Sequence, residues 1–330
     1  MGVKFAVLAP GNIANHIATA MKGVSELEPY AVASRSYERA KAFASKWGFS
    51  VIYDSYEKML EDPMVELVYV ASPHSHHYEH VKMCLLHGKN VLVEKAFTVN
   101  AWQARELVEL AKENNLLLAE AIWTRYMPSR SIIDDILNSD IIGNYKMLTA
   151  NLGYQLLSIE RLVKPELAGG ALLDVGVYTV NFALMCFGND ISEIKSSVVM
   201  TDNGVDEMNF IDIHFSDGKV AHLFSTMNAA TDRRGIIYGD KGYIEVDNIN
   251  NPQSICVYDL ERSLVKKYDV PEQINGYEYE LISCVRAIKE GKTECDQMPH
   301  AETLRVMDIL DKLRNDWNFK YPDEIERVSS

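Results

Sequence analysis

Lys95 directly follows Val91, Leu92, Val93 and Glu94, so an ammonium and a carboxylate stand together at the end of an apolar run that reads as a buried strand. Further along, Asp174 and Tyr178 are four residues apart, the interval that puts a carboxylate and a phenol on one helix face. A free phenol, with a pKa near about 10, is a poor base at neutral pH, and a nearby ammonium favours its phenolate. These residue types predict proton-coupled redox chemistry at a hydroxyl. Lys95, Asp174 and Tyr178 are the candidate catalytic residues. Plainer roles compete: Lys95 as a surface lysine paired with Glu94, Asp174 as a helix cap, Tyr178 as a core aromatic.

Such chemistry needs a redox partner, and the chain offers a nucleotide-type start at Val7-Leu8-Ala9-Pro10-Gly11-Asn12-Ile13-Ala14. In a G-x-G-x-x-[GA] turn, glycines let backbone N–H groups approach a pyrophosphate at a helix start. Here Ala9 replaces the first glycine, and the surrounding strand-then-helix context is the required one. Gly11, Asn12 and Ile13 complete the turn. The second strand ends in Ala33-Ser34-Arg35-Ser36, with no acid before Glu38. An NAD site usually places Asp or Glu there, whereas Ser34 and Arg35 suit the 2′-phosphate of NADP, with NAD as the alternative. Arg35 also reads as a solvated arginine at a helix start.

The elements that must position these groups follow from periodicity. In the first third, strands at Lys4 to Leu8, Tyr30 to Ser34, Leu67 to Ala71, Asn90 to Glu94 and Leu116 to Ala121 alternate with helices. The helices are placed at Ile13 to Val24, Ser36 to Lys46 (Ser36 as N-cap), His77 to His87 and Ala101 to Asn114. That rhythm predicts an α/β fold with a doubly wound parallel Rossmann sheet. Beyond Trp123 come a helix near Arg130 to Asn138, a strand at Tyr145 to Tyr154, and an apolar helix from Leu172 to Phe187 after Gly169-Gly170. Strand candidates then run consecutively from Glu193 to Tyr268, followed by helices at Tyr277 to Glu290 and His300 to Trp317. The expected domains are 1–122 for the nucleotide and 123–330 for substrate and oligomerisation, the latter with an open, mainly antiparallel sheet.

Composition bounds the partners. With 330 residues, 47% hydrophobic and 24% charged, the chain has room for two cores, and its net charge of −14 disfavours nucleic acid. No apolar run approaches the roughly 20 residues of a membrane helix, and the start lacks signal-peptide order, so no membrane role and a cytoplasmic location are expected. The five cysteines form no C-x-x-C pair and read as buried thiols. His76 and His80 share a helix face, yet no third ligand lies nearby, and no metal is expected.

Several separated stretches carry a resemblance: Val70-Ala71-Ser72-Pro73-His74-Ser75-His76-His77, Val93-Glu94-Lys95, Glu120 to Pro128, and Gly169 to Tyr178. In this order they resemble the glucose-fructose oxidoreductase, inositol dehydrogenase and MocA family, most of all its dihydrodiol and xylose dehydrogenase branch. The resemblance spans about residues 3 to 320. It implies a Rossmann domain, a C-terminal α/β domain whose sheet forms a homodimer or homotetramer, and an active site in the cleft between them. It also implies that Ser72, Pro73, His74, His77, Glu94 and Lys95 line the cofactor, with Lys95 near the nicotinamide. Two departures stand out: Ala96 replaces the proline of the Glu-Lys-Pro motif, and Tyr178 replaces a histidine common among sugar and inositol dehydrogenases, as the dihydrodiol branch does. Trp123 and Arg125 shape a substrate pocket or serve an interdomain or dimer contact. The implied activity is NADP-dependent oxidoreduction of a sugar, cyclic polyol or trans-diol. A non-catalytic cofactor-binding regulator, and a redox-assisted elimination or epimerisation with retained cofactor, are the alternatives.

Overall fold

The computed structural model describes residues 2–326; Met1 and residues 327–330, at the outer ends of the two expected domains, lie outside the described residues. The first sheet comes from β1 (Val3–Leu8), β2 (Leu27–Ala33), β3 (Val51–Tyr53), β4 (Leu67–Val70), β5 (Asn90–Glu94) and β6 (Leu118–Ala121). Between them run α1 (Asn12–Ala20), α2 (Tyr37–Trp47), α3 (Tyr56–Glu61), α4 (His77–Leu86) and α5 (Ala101–Glu113). The strand order is β3-β2-β1-β4-β5-β6, and every pairing is parallel. Helices on both faces explain why β4 is buried throughout and β5 nearly so. The order reverses between β1 and β4, and ligands bind such sheets beyond the strand ends at that reversal.

Two elements of this half were not anticipated, β3 and α3, and α1 stops at Ala20, where a 3₁₀ turn (Met21–Gly23) takes over. Ser36 stands at the expected N-cap but makes no capping bond; its own amide donates to Ser34 Oγ at 3.2 Å.

After α6 (Pro128–Asn138), the second sheet begins with β7 (Tyr145–Gly153) and continues, after α7 (Val177–Phe187), with seven strands: β8 (Ile191–Met200), β9 (Asp206–Phe215), β10 (Val220–Thr226), β11 (Gly235–Gly239), β12 (Gly242–Val246), β13 (Ser254–Asp259) and β14 (Leu264–Asp269). Its order is β14-β13-β12-β11-β7-β10-β9-β8. Two antiparallel meanders flank β7, which pairs in parallel with β10, so the sheet is mixed at its centre and antiparallel elsewhere. Alternation sorts its residues: Leu148, Ile211, Ile213, Ala221, Leu223, Ile237, Ile244 and Val257 are buried on the face that carries α7. Residues 165–187 correct the expectation that no segment matches a membrane helix in length and apolarity. They are 23 residues long; the most apolar window has mean hydropathy 1.5, and 94% of it is buried inside the protein, as befits a core helix.

The chain closes with α8 (Glu278–Lys289), α9 (His300–Asp316) and α10 (Asp323–Glu326). By contact, one compact unit runs up to Tyr126 and takes in Gln273–Asp308 and the residues from Asp323; the other holds Met127–Glu272 and Ile309–Pro322. The C-terminal segment therefore departs from the simple division 1–122 and 123–330. Its return is made by long-range pairs that cover the edge strand β6: His300 Nε2 lies 2.8 Å from Leu118 O, and Thr303 Oγ1 donates to Glu120 Oε2 at 2.9 Å.

Candidate active site

The first unit assembles the nucleotide turn. Immediately after β1, Ala9 has φ 63°, the left-handed region that glycine occupies most easily, and its amide donates to Ala33 O at 3.0 Å. Gly11 is extended, and a Cβ there would come no nearer than 4.0 Å to any neighbour, Ala71 O. Gly11 and Asn12 are exposed and Ile13 half-buried, so the first amides of α1 remain open. This donor set fits a pyrophosphate. The turn keeps its backbone shape without the first glycine.

At the end of β2, Ser34 is buried and Arg35 exposed. Burial raises the proton affinity of the Tyr56 phenol, against which the Arg35 guanidinium acts by charge and hydrogen bonding. His76 and His80 also join this group, with rings 5.6 Å apart. Burial, reinforced by Arg35, lowers the His76 pKa, and burial with the neighbouring histidines holds His80 at about 4. Near neutral pH both rings are neutral, and Arg35 supplies positive charge. Among the described residues no group of three His, Cys, Asp or Glu could hold a metal ion.

Ser72, Pro73 and His74 form the turn after β4, with Ser72 and His74 buried. Ser72 Oγ lies 2.9 Å from His80 Nδ1. His77 is fully buried, with Nδ1 2.8 Å from Ala96 O and Nε2 2.8 Å from Ser72 O. Burial dominates over those carbonyls and holds its pKa at about 4. His77 therefore departs from the ligand-lining role implied by the resemblance: both ring nitrogens face backbone carbonyls, and the ring braces the Ser72 turn against the residue after Lys95.

Lys95 is half-buried, whereas its neighbours from Val91 to Glu94 and from Ala96 to Asn100 are buried. The Lys95–Ala96 peptide is cis. Strand alternation sends Glu94 the other way, into the fold, where its carboxylate accepts a hydrogen bond from the Tyr69 hydroxyl. Close to Glu94 lies Glu280, fully buried, with both carboxyl oxygens lacking a hydrogen-bond partner among the described residues. Burial pushes its pKa well above the carboxylate range, with Glu94 adding to the effect.

An acid whose folded pKa is raised binds its proton more tightly when folded, so stability falls as pH climbs above the unfolded value. Glu280→Met is accordingly expected to stabilise the protein by about 1–3 kcal/mol, because it removes a buried carboxyl without a partner. The gain is expected to be larger near about pH 8 than near about pH 5. Denaturant midpoints of both proteins at the two pH values check this; a gain from the substitution that is equal or smaller at the higher pH would count against it.

Trp123 and Arg125 are both buried. The Trp123 ring stacks on Tyr277 at 4.3 Å with 7° between planes, a contact of about 0.5–1.5 kcal/mol beyond area burial. Arg125 Nη2 pairs with Glu302 Oε2 at 3.3 Å. Nearby Glu120 is raised by burial to about 7.

The second unit carries Asp174 and Tyr178, both buried. Residues Leu172–Gly176 wind as a π-helical turn that leads into α7, so the four-residue spacing does not sit on a regular α-helix. Arg161 Nη2 donates to Asp174 Oδ1 at 3.2 Å.

Sequence reasoning missed Tyr69, Arg161, Tyr277 and Glu280. Glu280 left a trace: it lies four and seven residues before Cys284 and Ala287, on the stripe where a helix buries its side chains. Tyr69 is the polar member of an otherwise apolar strand.

Residues 3–121 match a family model described as "Oxidoreductase family, NAD-binding Rossmann fold", and residues 132–245 one described as "GFO/IDH/MocA C-terminal domain". The trans-1,2-dihydrobenzene-1,2-diol dehydrogenase of Xenopus tropicalis is 32% identical over 334 residues, covering 98% of this chain and 100% of that protein. Among solved structures, KijD10, a 3-ketoreductase from Actinomadura kijaniata in complex with NADP and TDP-benzene, superposes with a TM-score of 0.88 at 24% identity, covering 96% of this chain and 98% of that one. Levoglucosan dehydrogenase in complex with NADH and levoglucosan gives 0.86 at 17% identity, covering 98% and 100%.

Proposed function

Because the chain belongs to the GFO/IDH/MocA family of NAD-binding oxidoreductases, we propose that it is an NADP(H)-dependent dehydrogenase or reductase acting on a secondary hydroxyl of a sugar, cyclic polyol or trans-dihydrodiol. One observation carries the reading. Lys95 directly follows β5, one strand from the reversal of strand order, and is the one residue from Val91 to Asn100 that is not buried. A cation placed there stabilises an oxygen on which negative charge develops.

When bound, the nicotinamide supplies the hydride-accepting carbon. Tyr178 removes the hydroxyl proton of the substrate, and Lys95 steadies the oxygen as it becomes a carbonyl. Asp174, held by Arg161, orients the substrate or Lys95. In reduction the proton travels back from the phenol. Trp123 and Arg125 belong to the substrate side of this assignment, with the Tyr277 stack fixing the indole plane. Preference for NADP rests on Arg35 and Ser34 standing where NAD sites place an acid. The dihydrodiol relatives favour a diol among the substrate classes.

The test is a panel of aldoses, inositols and trans-diols incubated with NADP or NAD and followed by reduced-nicotinamide fluorescence. Signal with NADP and at least one of these hydroxyl compounds is expected. Cofactor binding without turnover of any of them would point to a regulator, and conversion without a net signal to a redox-assisted elimination or epimerisation.

The second sheet supports a homodimer. Its register puts Val199, Phe210, Phe224, Met147, Tyr238, Tyr243 and Tyr258 on the face opposite α7. Tyr243 and Tyr258 stack at 5.0 Å, and Val199, Phe210 and Met147 are exposed. Apolar and aromatic groups gathered on one open face mark an association surface. Phe210→Glu is expected to shift the protein toward monomer in sedimentation; an unchanged mass would remove this face from the interface. A cytoplasmic location accords with five free thiols.

A further inference from the structure

The π-helical turn that carries Asp174 is bonded at its start, and closely approached at its end, by side chains from the sheet beneath it. At its start, the Leu172 amide donates to Asp206 Oδ2 at 2.7 Å, and the same oxygen accepts from Asn209 Nδ2 at 3.0 Å. Asn209 Oδ1 in turn accepts from Ser225 Oγ at 2.8 Å. Ser225 abuts the end of the turn, where a Cβ on Gly176 would stand 3.0 Å from its Oγ. Asp206, Asn209 and Ser225 are all fully buried. The approach to Asp206 requires glycine: Gly170 has φ +120°, and a Cβ there would lie 2.2 Å from Asp206 Oδ1.

A π turn holds one residue more than an α turn and is less favourable than the α-helix it interrupts, so it persists where the surroundings impose it. Here a connected set of hydrogen bonds runs from the start of the turn to Ser225, which packs closely against its end. A carboxylate at the start of a helical segment also meets the positive end of its dipole. Burial raises the Asp206 pKa to about 6, against which the hydrogen bonds from Asn209 and the Leu172 amide act.

We propose that Asp206, with Asn209 and Ser225, is a positioning residue: the three form a buried clamp that fixes the turn from Leu172 to Gly176 and so sets where Asp174 and Tyr178 present their reacting groups. The catalytic consequence rests on the function proposed above. The clamp itself does not, and the two are read separately.

Hydrogen exchange by mass spectrometry on the full-length protein reads the clamp. Asp206→Ala is expected to speed exchange of peptides spanning residues 172–178 by at least about 10-fold relative to the wild type, with the β1–α1 peptides unchanged. Both bonds fall on one oxygen of Asp206, so Asp206→Asn can keep an acceptor there and is expected to restore slow exchange. Ser225→Ala, a smaller change, is expected to speed exchange toward residue 176 and covers the case in which Asp206→Ala does not fold. Steady-state kinetics read the consequence: with a substrate from the panel, kcat of Asp206→Ala is expected to fall about 10-fold or more while the NADP Kd stays within about 3-fold, and Asp206→Asn recovers most of it. Wild-type exchange at 172–178 in both Asp206→Ala and Ser225→Ala overturns the clamp. Faster exchange with unchanged kcat, at a temperature where the variant is folded, overturns its positioning role. Should the wild-type protein turn over no panel compound, the functional reading fails while the exchange result still decides the clamp.

Discussion

Lys95→Met and Tyr178→Phe are each expected to lower kcat/KM by about 10²–10⁴-fold, the usual contribution of a positioned acid or base. Methionine keeps the length and apolar stem of the lysine and removes its charge and donors. Phenylalanine keeps the ring and removes the oxygen that would take the proton. Tyr178 and Asp174 are buried and Lys95 is half-buried, so charge changes there act in surroundings where water screens poorly. If the two act on one proton transfer, the double variant loses little more than the worse single one. NADP affinity is expected to change by less than about 10-fold in Tyr178→Phe, which separates a lost proton acceptor from a lost binding site. Near-native turnover in both single variants, with binding intact, would refute the proton path.

Arg35→Ala is expected to weaken NADP by about 10–100-fold and leave NAD nearly unchanged, as loss of a charge-assisted phosphate contact does. The guanidinium is exposed two residues past the end of β2, beside Tyr56, His76 and His80. Since burial keeps the two imidazoles neutral near neutral pH, they do not replace its charge. The NADP advantage is expected to shrink with added salt, because an exposed cation is screened. Titrating each cofactor by fluorescence, at low and high salt, gives the ratio; a ratio unaffected by the substitution would assign the 2′-phosphate to other groups.

The Rossmann half was legible because its strands have no solvent side. Leu67–Val70 and Val91–Val93 are apolar runs of strand length, and their burial on both faces follows. β3 and α3 were not legible, since three half-buried residues and a six-residue helix carry too few periods to register. Their trace was local: Ser55 caps α3 by accepting from the Lys58 amide at 3.4 Å.

Lys95, Ala9 and Gly11 could be located because motif residues adjoin the elements that hold them. Tyr277 could not, because the partner that gives it meaning, Trp123, is far away in sequence. The same holds for the return of α9 to β6, made by His300 and Thr303. Ser216-Asp217-Gly218 and Gly239-Asp240-Lys241-Gly242 are turn signals at the β9–β10 and β11–β12 connections, yet nothing local places β7 between the meanders, since parallel pairing with β10 is a non-local choice. The apolar stretch through Leu172 reads as plain helix. Its π turn is set by Asp206 and Ser225, which the chain supplies only strands later.

Hydride transfer from a carbinol carbon is the central claim, and isotope tracing tests it most directly. A substrate from the panel, deuterated at the carbon bearing the oxidised hydroxyl, is incubated with NADP, and the product cofactor is analysed by mass spectrometry and NMR. The account predicts one deuterium at C4 of the reduced nicotinamide, matched by an equal amount of carbonyl product. Deuterium released to water or retained in the product, with the cofactor unlabelled, would contradict it.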